Sequence, residues 1–235
     1  MIYALQIAAV LFGLGLIALF GLSSQKRIKL LLAFSGAYLF SIVIVHFLPE
    51  LFEEGGADIG LFILGGFLLQ VLLDFYSTGL EHGHFHSDHF KKKVFPVAAI
   101  AGLFVHAFFE GIPIALQEND DSGQMLLLAI VLHRVPITIV LYSLLYTLEI
   151  SRNKIWITIA LFALVSPIGT AIGHFSPSLH ESSAYLTAFA TGIFLHVSTT
   201  ILFESSHNHK YNLAKLLVVV LGMATAYFSL SFFAH

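Results

Sequence analysis

Histidine and glutamate stand four residues apart in the segment LFVHAFFEGIPIAL, at His106 and Glu110. In an α-helix this spacing places both side chains on one face, one turn apart. An imidazole nitrogen and a carboxylate oxygen so placed can bind one metal ion together, and such borderline ligands accept zinc, iron or manganese. The alternative interpretation is a hydrogen-bonded pair that only locks helix packing.

A second histidine lies near a proline in the segment LHRVPITIV, where His133 is three residues before Pro136. Proline lacks a backbone N–H and clashes with the carbonyl four residues earlier, so it bends a helix. Pro113 follows Glu110 by three residues in the first segment, so the sequence predicts two bent helices that present imidazoles at similar depth, as in transporters. Arg134 would repel a cation, so we expect it to pair with a carboxylate. The candidate carboxylates are those of Glu110, Glu50 and Asp74.

The composition indicates that the helices holding these residues lie in a membrane. Hydrophobic residues make up 57% of the 235-residue chain and charged residues 11%, and the mean hydropathy is +0.89, which leaves too little polar surface for a soluble globule. Cysteine is absent, so any metal ligands must be histidine or carboxylate. A net charge of -3 without a long basic tract gives no basis for nucleic acid binding.

Crossing the hydrocarbon core takes about 20 apolar residues of helix, and the chain has eight such runs. The predicted spans are residues 2–22, 29–52, 58–79, 95–117, 124–148, 155–175, 182–204 and 211–233. The joints between them are short and house no soluble domain. The sequence therefore predicts an all-α, polytopic integral membrane protein in which residues 1–235 form a single transmembrane domain.

Lysine and arginine occur in alternate joints, while the other joints carry acidic residues. The basic joints contain Lys26, Arg27 and Lys29, then Lys91, Lys92 and Lys93, then Arg152 and Lys154, then Lys210 and Lys215. Short basic loops stay on the cytoplasmic side. We therefore expect both termini to lie outside, in a plasma or inner membrane.

Further ionisable residues fall within the predicted spans. Their burial in lipid costs free energy, so such residues mark transport paths or active sites. They are His46 and Glu50 in the second span, Asp74 in the third, His174 in the sixth, and His196 and Glu204 in the seventh. The pairs in the second and seventh spans are candidate metal ligands that would act as entrance and exit relays for metal or protons. The alternative is that a carboxylate at a helix end only contacts interfacial water.

Four motifs together resemble the ZIP (Zrt/Irt-like) family of divalent metal transporters: HFLPE, HAFFEG, HRVP and ATGIFLH. Eight spans and outside termini agree with this resemblance over essentially the whole chain. It implies that zinc, or iron, manganese or cadmium, moves into the cytoplasm through a site on helices four and five. His106 and Glu110 would be ligands, with His133 on the matching motif. It also implies a 3+2+3 arrangement, with helices one to three and six to eight as inverted repeats and one bundle rocking against another.

The chain departs from the family pattern at three positions. Asn is common where this chain has Ala107, and acidic or histidine residues are common where it has Arg134 and Ile137. We therefore expect one metal ion on the three ligands named above, with Arg134 in place of a second cation. The same departures leave open an altered metal choice, slow transport or a loss of transport.

Histidines are concentrated in the segment EHGHFHSDH, residues 81–89, within a His/Lys-rich loop at 81–94 that the charge rule places in the cytoplasm. Its candidate metal ligands are His82, His84, His86 and His89. Their spacing matches no closed structural zinc site, so we interpret the segment as a weak, exchangeable metal store or sensor. A plain solvated linker is the alternative.

Two other functions remain compatible with the residues. An intramembrane zinc hydrolase would also bury histidine and carboxylate ligands, although the usual His-Glu-x-x-His signature is absent. A metal-sensing membrane protein without transport would keep the loop and lack the flux. We expect no enzymatic activity and no resident cofactor, and the Gly-rich helices favour a homodimer.

Overall fold

The computed structural model describes residues 1–21, 25–56, 58–77, 92–117, 121–203 and 213–233. Within these ranges the chain is helical, and eight helices are long and apolar enough to span a membrane, which confirms the predicted number. They are α1 (Ile2–Phe20), α2 (Gln25–Ile42, continued by Val43–Phe47 and Leu48–Glu54), α3 (Ile59–Ser77), α4 (Val97–Leu116), α5 (Asp121–Thr147), α6 (Arg152–Phe175), α7 (Ser183–Phe203) and α8 (Leu213–Phe233).

Helix irregularities differ in part from those expected from the prolines. Both α4 and α5 continue without a break through Pro113 and Pro136. A π-helical turn at Val43–Phe47 interrupts α2 instead, and it contains His46. A one-turn helix, Pro177–Glu181, occupies the joint predicted between the sixth and seventh spans. These local features were not apparent from hydropathy, which sees only apolar length.

The eight helices form two groups by their packing. The most extensive helix pairs are α3 with α7, α4 with α6, α2 with α8 and α1 with α5. The first group comprises α1, α4, α5 and α6, and the second comprises α2, α3, α7 and α8. The groups meet where α2 packs on α5 and where α3 and α7 pack on α4.

Burial differs strongly between the helices. In its most apolar stretch, α5 has 72% of its residues buried, whereas α8 has 11%. Exposed apolar side chains on the outer helices include Leu61, Phe75, Leu217 and Phe228. Such a surface suits lipid rather than water, so α5 lies at the centre of the bundle and α8 at its lipid-facing edge.

Glycines set the closest helix approaches. A side-chain carbon on Gly66 of α3 would overlap the backbone of Phe189 in α7, and one on Gly192 of α7 would overlap the Ile63 carbonyl. A side-chain carbon on Gly111 of α4 would likewise overlap the backbone of Ser166 in α6. Apolar lipid gives helices no hydrophobic reason to associate, so close backbone contact through small residues is what holds such pairs together.

One end of α4 and one end of α5 are joined outside the spans. The Lys93 N–H donates to the Leu148 carbonyl at 2.7 Å, and the Lys92 ammonium lies 2.7 Å from Glu149 Oε1. This hydrogen bond and the positive charge hold the pKa of Glu149 below its ordinary value. The connection fixes the relative height of the two helices that carry the candidate ligands.

The glycine contacts predict opposite outcomes for the same substitution at two positions. Gly66→Ala should lower stability by about 1–3 kcal/mol because the added methyl group overlaps backbone that cannot move. Gly15→Ala is the matched control, because nothing lies within 4 Å of its would-be side chain, and it should be neutral or stabilising by up to about 1 kcal/mol. The thermal unfolding midpoint in detergent, followed by circular dichroism, measures both. Equal midpoints for the two variants would contradict the close packing.

Candidate metal centre

Three side chains predicted as metal ligands meet between α4 and α5. His106 and Glu110 of α4 and His133 of α5 each offer one ligand atom, and these atoms all lie within 4.8 Å of one another. All three residues are buried, with 2%, 4% and 2% of their surface exposed, respectively. The structure thus brings together the residues that the sequence singled out, while their binding of a metal stays a prediction.

Within the centre, His106 Nε2 lies 2.8 Å from Glu110 Oε1. The i, i+4 spacing on α4 produces this contact, because residues one turn apart lie one above the other. Two ligands of a tetrahedral zinc ion, each about 2.0–2.2 Å from the metal, lie roughly 3.3–3.6 Å apart, so the pair must open slightly to admit the ion. The two atoms therefore share either a proton or a metal ion, and the two cations compete for the same position.

Hydrogen bonds from neighbouring helices favour one tautomer of each imidazole. The Gln70 side-chain oxygen on α3, which can only accept, lies 3.0 Å from His106 Nδ1. Ser35 of α2 donates its hydroxyl hydrogen to the Leu32 carbonyl, so its oxygen is left to accept from His133 Nδ1 at 3.4 Å. With both Nδ1 atoms protonated, the Nε2 atoms carry the lone pairs that bind metal.

Arg134 occupies the other side of the Glu110 carboxylate. Its Nη2 atom lies 3.7 Å from Glu110 Oε2, and its guanidinium carbon lies 5.2 Å from the centre of the Phe162 ring on α6. The prediction that Arg134 pairs with a carboxylate is confirmed, and Glu110 is the partner. Glu110 can thus present one oxygen to a metal ion while the second faces a fixed positive charge.

A buried polar chain links α1 and α6 to the backbone of α4 beside the centre. Gln6 donates to the Thr170 hydroxyl at 3.0 Å and accepts from the Ser166 hydroxyl at 2.8 Å, and Thr170 in turn donates to the Gly111 carbonyl at 2.9 Å. Gly111 directly follows Glu110. The chain therefore fixes the backbone that carries the carboxylate.

The other predicted ligands do not join the centre in the part of the chain that the structure describes. His46 lies 3.3 Å from Glu50 within α2, and both side chains are about a quarter exposed. His196 of α7 lies 3.4 Å from Asp74 of α3, and His174 is exposed beside Phe175. Five more candidates lie outside the described residues: Glu204, His82, His84, His86 and His89.

Gln70 and Ser35 were missed by the sequence analysis. A signal existed for Gln70, since an uncharged amide in an apolar span also needs a partner and it precedes Asp74 by one helical turn. Ser35 gave none, because a serine in a membrane helix most often serves close packing. Only the position of α2 against α5 reveals its contact with His133.

The chain is similar in sequence to known proteins. The family described as ZIP Zinc transporter matches residues 81–229, more than half of the chain. Zinc transporter ZIP9-B of Xenopus laevis is 26% identical over 172 residues, covering 67% of this chain and 57% of that protein. Zinc transporter ZIP9 of Micropogonias undulatus is 29% identical over 160 residues, or 63% and 51% of the two chains. Zinc transporter ZIP1 of Takifugu rubripes is 32% identical over 134 residues, or 52% and 42%. The chain spans about half the length of the curated relatives it matches.

The contact between Gln70 and His106 predicts an effect on metal affinity. Gln70→Met keeps the side-chain length and removes the acceptor, so zinc affinity should fall about 10- to 100-fold. Gln70→Glu keeps an acceptor and should restore the affinity. Gln124→Met, on an exposed position of α5, is the matched control. Competition with a chromogenic chelator measures the affinities, and parent-like binding by Gln70→Met would contradict the assigned role.

Proposed function

This chain belongs to the ZIP zinc transporter family, and on that basis we propose that it carries a divalent metal ion, zinc first among them, across the membrane. The observation that carries the proposal is the buried set of His106, Glu110 and His133 between α4 and α5. Burying ionisable groups inside a membrane bundle costs desolvation free energy, so such groups usually mark a functional site. Binding of a transported cation is such a function.

The charge of the centre supports binding of one ion at a time. Once the proton shared by His106 and Glu110 has left, two neutral imidazoles, the Glu110 carboxylate and the Arg134 guanidinium sum to zero. One divalent ion makes the buried centre doubly positive, and a second would have no carboxylate left to balance it. We therefore expect one metal ion, bound on the Glu110 oxygen that faces His106.

The same balance favours release. A site for a transported ion must bind well enough to admit it and weakly enough to let it leave. Arg134 faces the second Glu110 oxygen at 3.7 Å and repels a bound cation. This repulsion lowers metal affinity and so shortens the time that an ion stays.

The helix pairing supports the predicted inverted repeats. Exchanging α1 with α6, α2 with α7, α3 with α8 and α4 with α5 turns the α1–α5 pair into α6–α4 and the α2–α8 pair into α7–α3. All four are among the most extensive pairs of the bundle. Such an arrangement would let the two helix groups move against each other, so that the centre opens first to the outside and then to the inside.

We place both termini outside and the transport direction into the cytoplasm, following the alternation of basic and acidic joints. Metal leaving the centre on the basic side would meet the histidine loop at 81–94. Lipid and the transported ion are the expected partners, and a homodimer is the expected assembly.

Transport itself is tested in proteoliposomes. Uptake of zinc, iron, manganese and cadmium, each followed with a radiotracer or an indicator dye, should occur with the parent protein. It should fall to the level of empty liposomes with His106→Ala and with Glu110→Ala. His180→Ala, on the exposed one-turn helix, is the matched histidine control and should keep full flux. If no divalent ion moves under any pH or voltage gradient, the transport function is wrong, and bound zinc and hydrolysis should then be assayed.

The number of bound ions is tested separately. Purified parent protein should bind more than one zinc ion, because the histidine loop contributes a weak site. Deletion of residues 82–89 should leave one zinc ion per chain, and adding His106→Ala should remove it. Equilibrium dialysis against buffered zinc, followed by elemental analysis of protein and buffer, counts the ions. Two ions per chain after the loop deletion would contradict the single-ion centre, and an unchanged count would contradict metal binding by the loop.

A further inference from the structure

An apolar groove of about 490 Å³ opens between the two helix groups at one end of the bundle. Its walls include Leu16 and Phe20 of α1, Leu31 and Phe34 of α2, and Val218 of α8, and its floor is formed by Ile139 of α5. The groove therefore has one wall from the first group and another from the second. It lies away from the metal centre, whose ligands do not line it.

One basic side chain stands among these apolar walls. Arg27, two residues into the described part of α2, lines the groove and is exposed. Because Phe20 ends α1 and Arg27 begins α2, the arginine marks the end of the groove near the membrane surface. An apolar channel with a cation at its mouth matches an acyl chain whose headgroup is negatively charged.

Further positive charge surrounds the same end. Lys29 of α2 and Lys215 of α8 are close enough for their charges to repel each other. Lys215 donates to the Ile201 and Leu202 carbonyls at 3.4 and 3.3 Å.

Among the residues that the structure describes, the helices lining the groove carry no acidic side chain at this end. The sequence has no Asp or Glu before Glu50 and none after Glu204, so neither α1, the adjoining half of α2 nor α8 carries one. Glu149, at the corresponding end of α5, already pairs with Lys92 at 2.7 Å. Arg27 at the mouth of the groove therefore favours a negatively charged headgroup.

We propose that this groove binds one anionic phospholipid, with an acyl chain between α1 and α8 and the phosphate on Arg27. Zwitterionic lipids bring their own positive group to the basic mouth and are selected against. The volume is in the range of ordinary small-ligand sites. A lipid held there contacts both helix groups at once, so its occupancy bears on how they move past each other.

Native mass spectrometry of the full chain tests the proposal. The protein is taken from nanodiscs containing equal amounts of phosphatidylglycerol and phosphatidylcholine, and retained lipids are identified by mass. We expect one retained phosphatidylglycerol per chain. Arg27→Gln should lower its retention about five-fold, the effect of one basic residue at a membrane surface. Val218→Trp, which fills the groove, should lower it to background.

Arg152→Gln is the matched control, since it removes an exposed basic charge at the same end of the bundle and does not line the groove. It should retain the lipid as the parent does. An equal loss in Arg152→Gln and Arg27→Gln would overturn the proposal in favour of general surface attraction. Equal retention of the two lipids by the parent, or unchanged retention by Val218→Trp, would also overturn it. The proposal would also be overturned if the parent is a dimer and Val218→Trp dissociates it without loss of lipid. That result would mean that a second copy of the chain occupies the groove.

Discussion

The buried Glu110 carboxylate is the interaction on which the rest of the centre depends. No water is present in the bilayer core to solvate an ionised group, so neighbouring side chains must do so. One oxygen of Glu110 faces His106 at 2.8 Å, and the other faces Arg134 at 3.7 Å. A single side chain thereby ties α4 to α5. Loss of the carboxylate would leave the Arg134 guanidinium buried without its counter-ion.

Packing and chemistry meet in adjacent residues at this point. Gly111 follows Glu110 and lets α4 approach the Ser166 backbone of α6. Thr170 of α6 then reaches the Gly111 carbonyl, which fixes the backbone beneath the carboxylate. A larger residue at Gly111 would separate the helices and move the carboxylate away from its partners. The glycine is thus needed for the geometry of the centre, although it has no side chain to bind metal.

The centre also lies at the boundary between the two helix groups. His106 and His133 belong to the first group, whereas Gln70 and Ser35, which fix their protonated nitrogens, belong to the second. Movement of one group along the other must therefore break or remake hydrogen bonds to both imidazoles. This arrangement couples the positions of the helices to the readiness of the centre to bind a cation. The apolar groove lined by Arg27 opens at one end of the same boundary, so its shape also depends on the relative position of the two helix groups.

The sequence by itself determined the number of spans and singled out the three side chains that meet in the centre. The spans could be predicted because apolar length is a local property of the sequence. The four-residue spacing of His106 and Glu110 places both on one helix face. His133 stands out because an ionisable side chain in an apolar run loses hydration free energy. Only the tertiary structure decided that Arg134 pairs with Glu110 and that His196 contacts Asp74. It also decided that Gln70 supports His106. These contacts join residues on different helices, and their register follows from glycine-mediated backbone approaches such as that of Gly66 to Phe189. No local pattern encodes the distance between two helices, so these partners appear only once the bundle is assembled.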